Sequence, residues 1–74
     1  MDGEALIDES GEVPTVAGDR LTVFDVLAAM SRSEDEMREQ FREWGFSAEE
    51  RVAICEYVAA NRERFEWLED ELLR

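Results

Sequence analysis

The chain has 74 residues, the size of one small domain, and a domain of this size removes only about 60% of its unfolded surface from water on folding. Its 20 acidic residues outnumber 8 basic ones, all of them arginine, and it has no histidine, so the net charge is −12. The composition excludes a histidine general base and a histidine metal site, and the single cysteine excludes an internal disulfide framework. We expect such a domain to gain stability from an assembly or a partner.

The net charge also indicates the salt concentration in which the protein works. Excess carboxylates repel one another, and the repulsion is tolerated best where molar salt shortens the Debye length to about 3 Å. We interpret the composition as halophilic; the alternative is a GC-rich genome that encodes arginine instead of lysine, with an ordinary solvated acidic surface. A hydrophobic content of 45% argues against acidic disorder and favours a packed domain.

The sequence predicts a cytoplasmic protein without a membrane partner. It contains no apolar run long enough to span a bilayer, and its start lacks the cationic segment of a secretory signal. A single cysteine, Cys55, is typical of a reducing compartment.

The first third of the chain predicts β-structure. Residues 1–12 form either an acidic tail or a short edge strand around the apolar patch at 5–7. Residues 13–23 predict a hairpin, because β-favouring side chains flank a turn at 17–19 in which Gly18 takes positive φ without steric cost. Pro14 cannot donate a ladder hydrogen bond, so its strand lies at an edge or its amide position faces away from the sheet. We assign residues 13–74 to a single domain.

Capping residues predict where the helices begin and end. Thr22 with Asp25 predicts a first helix that ends near Met30 or Ser31. The capping box at 33–36 predicts a second helix, which stops at Gly45 and in which Glu34 and Arg38 are favourably spaced for an ion pair. A further capping box at 47–50 predicts a third helix from Ala48. No glycine or proline follows, so this helix is expected to run to about Leu73.

The third helix carries a heptad-like apolar pattern. Spacings of four and three connect Ile54, Val58, Asn61, Phe65, Leu68 and Leu72. This apolar stripe is longer than the first two predicted helices can cover. We therefore expect its distal half, which Trp67 widens, to pair with another chain. Asn61 would then fix the register of that pairing by meeting its counterpart. The alternative is that residues 62–74 fold back as a separate fourth helix, with Asn61 at its cap.

Residues 13–60 resemble a family of short prokaryotic proteins. The motifs are PTVAGDRLTV at 14–23, followed by Asp25 and Leu27, then SEDEM at 33–37 with Phe41, and FSAEERV at 46–52 with Ala53 and Tyr57. This pattern resembles the VapB-type antitoxin-like proteins, also known as domain-of-unknown-function family four-three-three. Two departures are Asp19, where the family usually has threonine, and Ser31 with Arg32, where it usually has glycine.

The resemblance implies a short N-terminal β-hairpin followed by a helix-turn-helix-like bundle. Together with the long C-terminal helix predicted above, the expected fold is mainly α, a three-helix bundle after the hairpin. Members are usually dimeric and are often encoded beside a PIN-type ribonuclease toxin, so a ribonuclease partner is implied here. Pro14 and Gly18 would shape the family turn, Arg20 would anchor the hairpin, and helix 48–60 would be the recognition helix. Alternatively, Arg20 forms an ion pair with Asp19 or Asp25.

DNA binding by this chain alone is not expected. A recognition helix reads bases with its first turns, and these positions carry Glu49, Glu50 and Glu56 beside one cation, Arg51. Three carboxylates repel phosphates, and concentrated salt removes most of the counterion-release contribution to affinity. Arg20 and Arg51 are the candidate nucleic-acid contacts if a complex supplies further positive charge.

The sequence shows no signature of an enzyme. We expect a chain with so few apolar residues to form a core but not a desolvated catalytic pocket as well, so we predict no catalytic residue and no cofactor. Two acidic clusters, at 34–39 and 66–71, lack the glycine-centred loop of a calcium site and are interpreted as solvated helix faces. Cys55 has no histidine to activate it and is interpreted as a packing residue.

Together these features lead to one functional hypothesis and two alternatives. The hypothesis is a homodimeric, antitoxin-like module that occludes a ribonuclease toxin, with carboxylates that imitate RNA phosphates. Its partner-binding or dimer-forming side chains would be Ile54, Val58, Asn61, Phe65, Trp67, Leu68 and Leu72. On this view, truncation after Asn61 would leave the fold intact but abolish neutralisation of the toxin. The alternatives are a self-assembling structural or adaptor protein and a helix-turn-helix transcriptional regulator.

Overall fold

The computed structural model describes residues 6–18 and 20–73, and within them it is mainly helical with a small antiparallel sheet. The strands are β1 (Ile7–Asp8), β2 (Thr15–Val16) and β3 (Leu21–Thr22). The helices are α1 (Val23–Met30), α2 (Glu34–Glu43), α3 (Ala48–Ala60) and α4 (Arg62–Leu72). The predicted fold class, mainly α with an N-terminal hairpin, is therefore confirmed, except that the C-terminal helix is divided.

The sheet has the order β1-β2-β3, with both pairs antiparallel. The hairpin pairs Val16 with Leu21, as predicted for residues 13–23, and β1 pairs Ile7 with Val16 on the other side. The edge-strand interpretation thus holds for Ile7–Asp8, whereas the patch residue Ala5 lies outside the described residues. Pro14 precedes the central strand, and its carbonyl accepts a hydrogen bond from Val23 N at 3.1 Å. Its ring nitrogen has no N–H with which to return that bond. Because β2 is the central strand, the predicted edge position of the Pro14 strand is wrong.

The hairpin turn depends on left-handed backbone. Ala17 has a φ of 53° and Gly18 a φ of 74°. Glycine adopts this conformation without penalty, whereas alanine is strained there, so the predicted role of Gly18 is confirmed and Ala17 shares the turn. Asp19 lies outside the described residues.

Helices α1 and α3 begin at complete capping boxes. The Thr22 hydroxyl accepts from Asp25 N, and the Asp25 carboxylate accepts from Thr22 N. Ser47 and Glu50 repeat this arrangement. At α2 the predicted capping box is only half formed. The Ser33 hydroxyl accepts from Glu36 N, but the Glu36 carboxylate accepts from the Ser33 hydroxyl and not from the Ser33 backbone N–H.

Helix α2 ends at Glu43, and Gly45, the predicted stop residue, follows the C-cap with a φ of 90°. The N–H of Phe46 reaches back to the carbonyl of Phe41 at 3.1 Å, and the N–H of Gly45 reaches that of Arg42 at 3.0 Å. These bonds form a Schellman motif, which satisfies carbonyls that the helix end would otherwise leave without partners. The motif turns the chain from α2 into α3.

Helix α1 is at the centre of the bundle and packs against the other three helices. The buried core consists of Val16, Val23, Val26, Leu27, Ala29, Phe41, Ile54, Val58 and Phe65. Within residues 6–18 and 20–73 the core therefore draws on β2 and on helices α1 to α4.

None of the helices in the described part of the chain combines the length and apolar character that crossing a bilayer requires.

The prediction of one long C-terminal helix is wrong. The chain leaves helical geometry at Asn61, with φ of −117° and ψ of 18°, and α4 packs back against α1. The physical reason is that folding back covers Phe65 within the same molecule, whereas a straight extension would leave it in water. The alternative of a separate fourth helix, with Asn61 at the junction, is the one observed.

Candidate functional site

The proposed pairing seam is divided between the core and the surface. Ile54, Val58 and Phe65 are each 0% exposed and pack in their own core. They are therefore not available for a dimer seam, and their assignment as partner-binding residues is wrong. Leu68 is half-buried and Leu72 is 36% exposed. The four-three spacing matched a helical face, but that face belongs to two helices around one core.

Asn61 satisfies its side-chain amide within its own molecule. Its Nδ2 donates to the Tyr57 carbonyl at 2.9 Å, and its Oδ1 accepts from the Arg64 guanidinium at 3.0 Å. Both ends of the amide thus have intramolecular partners, and its pairing with a symmetry-related asparagine stays a prediction. Asn61 stands at the start of α4 without a side-chain capping bond, so its role is to close the junction between α3 and α4.

The side of α4 that faces away from the core is the best candidate for a binding surface. Trp67 follows Phe65 by two residues, which turns it about 200° around the helix and away from the core. It is 63% exposed, and Leu73 beyond the helix end is 80% exposed. We refer to the exposed residues Glu63, Arg64, Trp67 and Glu71 as the outer face of α4. A shallow depression beside the Trp67 ring reaches back to Asn61.

The charges of α4 are predominantly negative. Between Arg62 and Leu72 the sequence has five carboxylates and two arginines. Arg62 pairs with Glu66 at 2.6 Å, and Arg64 pairs with Glu9 of the N-terminal segment. Both cations are thus engaged by carboxylates, and α4 has more acidic than basic residues.

A cluster that the sequence did not predict holds the N-terminal segment to α4. The carboxylate of Glu9 accepts from the Arg64 guanidinium through both oxygens and from the Tyr57 hydroxyl at 2.6 Å. These donors, Arg64 first and Tyr57 second, lower the pKa of Glu9 below its ordinary value of 4.5. The Arg64 guanidinium also lies over the Phe65 ring, 4.5 Å from its centroid. The cluster therefore reinforces the packing of α4.

Arg20 anchors the hairpin, in line with the role that the family resemblance implies. Its guanidinium donates to the Trp44 carbonyl at 2.5 Å and lies 5.9 Å from the centroid of the Phe46 ring. The carboxylate of Asp25 instead accepts from Thr22, and Asp19 lies outside the described residues. The hairpin is thus tied to the turn between α2 and α3.

The two candidate nucleic-acid contacts, Arg20 and Arg51, provide little positive charge that a phosphate could reach. The Arg20 guanidinium is directed at the Trp44 carbonyl, and Arg51 is half-buried in the first turns of α3. The positive charge of Arg51 acts on the thiol of Cys55, where it partly offsets the effect of burial. The same stretch of α3 carries Glu49 and Glu50. The arrangement favours structural roles for both arginines.

The acidic side chains and the cysteine of the described residues do not form a metal-binding cluster. Within the ranges 6–18 and 20–73, no group of three cysteine or carboxylate side chains is placed to hold a metal ion. Cys55 is a free, half-buried thiol packed against the core, and burial raises its pKa. A raised thiol pKa opposes nucleophilic reactivity and agrees with the interpretation of Cys55 as a packing residue.

Comparison with known proteins supplies no relative from which a function could be transferred. No protein-family model, no curated protein and no solved structure matches the chain. The similarity of residues 13–60 to the VapB-type family therefore stays a prediction from the sequence motifs.

Proposed function

We propose that this chain is a non-enzymatic interaction module of the antitoxin type, which holds a partner protein on the outer face of α4. The observation that carries the proposal is the 63% exposure of Trp67. Tryptophan dominates binding energies at protein interfaces, because it brings a large rigid apolar surface at low entropy cost. A tryptophan on the outside of so small a domain is a natural anchor for a partner.

The surroundings of Trp67 define the partner's chemistry. Glu63 and Glu71 lie one turn before and one turn after it on the same side of the helix. A partner that contacts all three needs an apolar pocket bordered by arginine or lysine. A ribonuclease has such cations where it binds RNA phosphates, and carboxylates presented there would occlude the substrate. On this proposal the implied partner, a PIN-type ribonuclease toxin, presents such a pocket at its RNA-binding surface.

The geometry favours a different protein over a second copy of this chain. The apolar residues intended for self-pairing, Ile54, Val58 and Phe65, are buried in their own core. A symmetric dimer through the outer face would bring like carboxylates together, which costs stability except in concentrated salt. The proposed module therefore acts through a basic partner, and homodimerisation is secondary.

Affinity isolation from the encoding organism in molar salt tests the proposal. The bait is the full chain, compared with Trp67→Ser and with the matched control Val52→Ser, which removes an apolar residue that is 46% exposed on α3. We expect a PIN-type ribonuclease to copurify with the parent chain and the control, and to be lost with Trp67→Ser. Added parent chain, but not Trp67→Ser, should suppress RNA cleavage by the purified ribonuclease.

Three other outcomes would contradict the proposal. Recovery of only the bait, together with a homo-oligomer in light scattering, would favour the self-assembling alternative. A salt-sensitive shift of promoter DNA by the chain alone would favour the transcriptional regulator. Equal capture of a ribonuclease by Trp67→Ser and the parent chain would place the binding surface elsewhere.

A further inference from the structure

A groove between α1 and α4 lies on a different side of α4 from Trp67. Its α1 wall consists of Phe24, Leu27, Ala28 and Ser31, and its α4 wall consists of Arg62, Glu66, Glu69, Asp70 and Leu73. The spacings along each wall are those of a single helical face. Phe24 is half-buried, Ala28 is exposed, and Leu73 is 80% exposed at one edge. The α1 side of the groove therefore has apolar side chains that the fold leaves partly in contact with water.

The two walls differ in charge. The α1 side chains that line the groove are three apolar residues and one serine. The α4 wall has three carboxylates and one cation, Arg62, which is already paired with Glu66 at 2.6 Å. One wall is thus apolar and the opposite wall is negative.

We infer that this groove binds a basic amphipathic segment of another protein. Apolar side chains of the segment would lie on Phe24, Ala28 and Leu73, and its lysine or arginine side chains would face Glu69 and Asp70. The occupant follows from charge: nucleic acid, an anionic membrane and a second copy of this chain all bring negative charge to a protein with a net charge of −12. A cationic helix or extended segment is the complementary partner. This surface is separate from the outer face of α4.

A synthetic peptide tests the groove without any natural partner. The probe is a fluorescent peptide of about 18 residues, made of leucine and lysine with the leucines at helical spacing, and the comparison peptide has the same composition in scrambled order. Fluorescence anisotropy measures the affinity of the full chain for each. We expect the amphipathic peptide to bind at least roughly tenfold more tightly, because only it presents an apolar stripe beside its charges.

Two arginine variants separate the groove from the general charge of the protein. Ala28→Arg fills the apolar wall, and Ala59→Arg makes the same charge change at another exposed helical alanine, near the end of α3. We expect Ala28→Arg to weaken binding of the amphipathic peptide by roughly tenfold and Ala59→Arg to weaken it by less than about twofold. Circular dichroism of both variants checks that the fold is unchanged.

Amide shifts of the unmodified chain give a readout that needs no variant. On addition of the amphipathic peptide, we expect shifts at residues 24–31 and 62–73 and little change along α2. Equal affinity for the two peptides, equal loss in the two arginine variants, or shifts centred on α2 would each overturn the inference. Trp67→Ser should bind the peptide like the parent chain, so failure of the groove and failure of the ribonuclease proposal are distinguishable.

Discussion

Helices α1 and α4 contact each other, yet they are held in the fold in different ways. Four of the 8 residues of α1 are buried, and its first turn is closed by a capping box. Only one of the 11 residues of α4, Phe65, is buried, and no side chain caps its start. The contrast identifies α4 as the helix with more surface available to a partner. A side chain that is fully buried in the core cannot contact a partner, and only one side chain of α4 is buried there.

The largest expected effect comes from removing α4 altogether. Deletion of residues 62–74 takes away Phe65 and uncovers the face of α1 on which it packs. We expect the shortened chain to lose its cooperative thermal transition in circular dichroism, because the remaining core of so small a domain is marginal. The expectation that truncation after Asn61 preserves the fold is thus replaced by its opposite. A sigmoidal melt near that of the parent chain would show that α4 is dispensable.

A pair of substitutions within α4 sharpens the contrast between its two sides. Phe65→Ala should lower the free energy of unfolding by about 3–5 kcal/mol, because it leaves a cavity in the core. Trp67→Ala should change it by less than about 0.5 kcal/mol, because the indole is mostly in water. Urea denaturation of both variants measures the difference. Similar losses would mean that the outer face is structural.

Capping at α1 has a smaller expected effect. Thr22→Val keeps the β-branched shape but removes the hydroxyl that accepts from Asp25 N, and we expect a cost of about 1 kcal/mol. Thr22→Ser keeps a hydroxyl and should cost less. Urea denaturation compares the two variants, and an equal loss would show that the hydroxyl is not the source of the stabilisation.

The smallest expected effect concerns the link between Glu9 and α4. Arg64 and Tyr57 lower the pKa of Glu9 below 4.5, so its stabilising contribution is complete above that value and is lost as the pH falls through the lowered pKa. Glu9→Gln should cost at most about 1 kcal/mol at neutral pH, because the pair is partly solvated, and the difference from the parent should shrink in acid. Glu43→Gln, an exposed carboxylate of α2, is the control. A difference that stays constant from pH 7 to about pH 3 would contradict the assignment.

The helix boundaries were predictable because their causes are local. Thr22 and Ser47 bond to backbone three residues away, and Gly45 supplies the left-handed residue that ends α2. Each signal lies within one turn of the feature it predicts, so spacing alone identifies it. The ion pair of Arg38 with Glu34, at 2.6 Å, is predictable for the same reason.

The break at Asn61 was not predictable in the same way. No glycine or proline marks it, and a four-three spacing is produced equally by one long helix that pairs with another chain and by two helices that share a core. The choice depends on whether Phe65 can reach the core of its own molecule, which is a property of the whole fold. The Glu9 cluster escaped prediction because Arg64 is 55 positions away along the chain.

The two tryptophans give the molecule a pair of optical reporters with separate assignments. Trp44 packs edge-on against Phe41, with ring centroids 5.0 Å apart, so its emission should respond when the chain unfolds. Trp67 is mostly in water, so its emission should be red-shifted and readily quenched by acrylamide until something covers it. A blue shift without loss of helicity would therefore record the docking of a partner in a sample that carries no label.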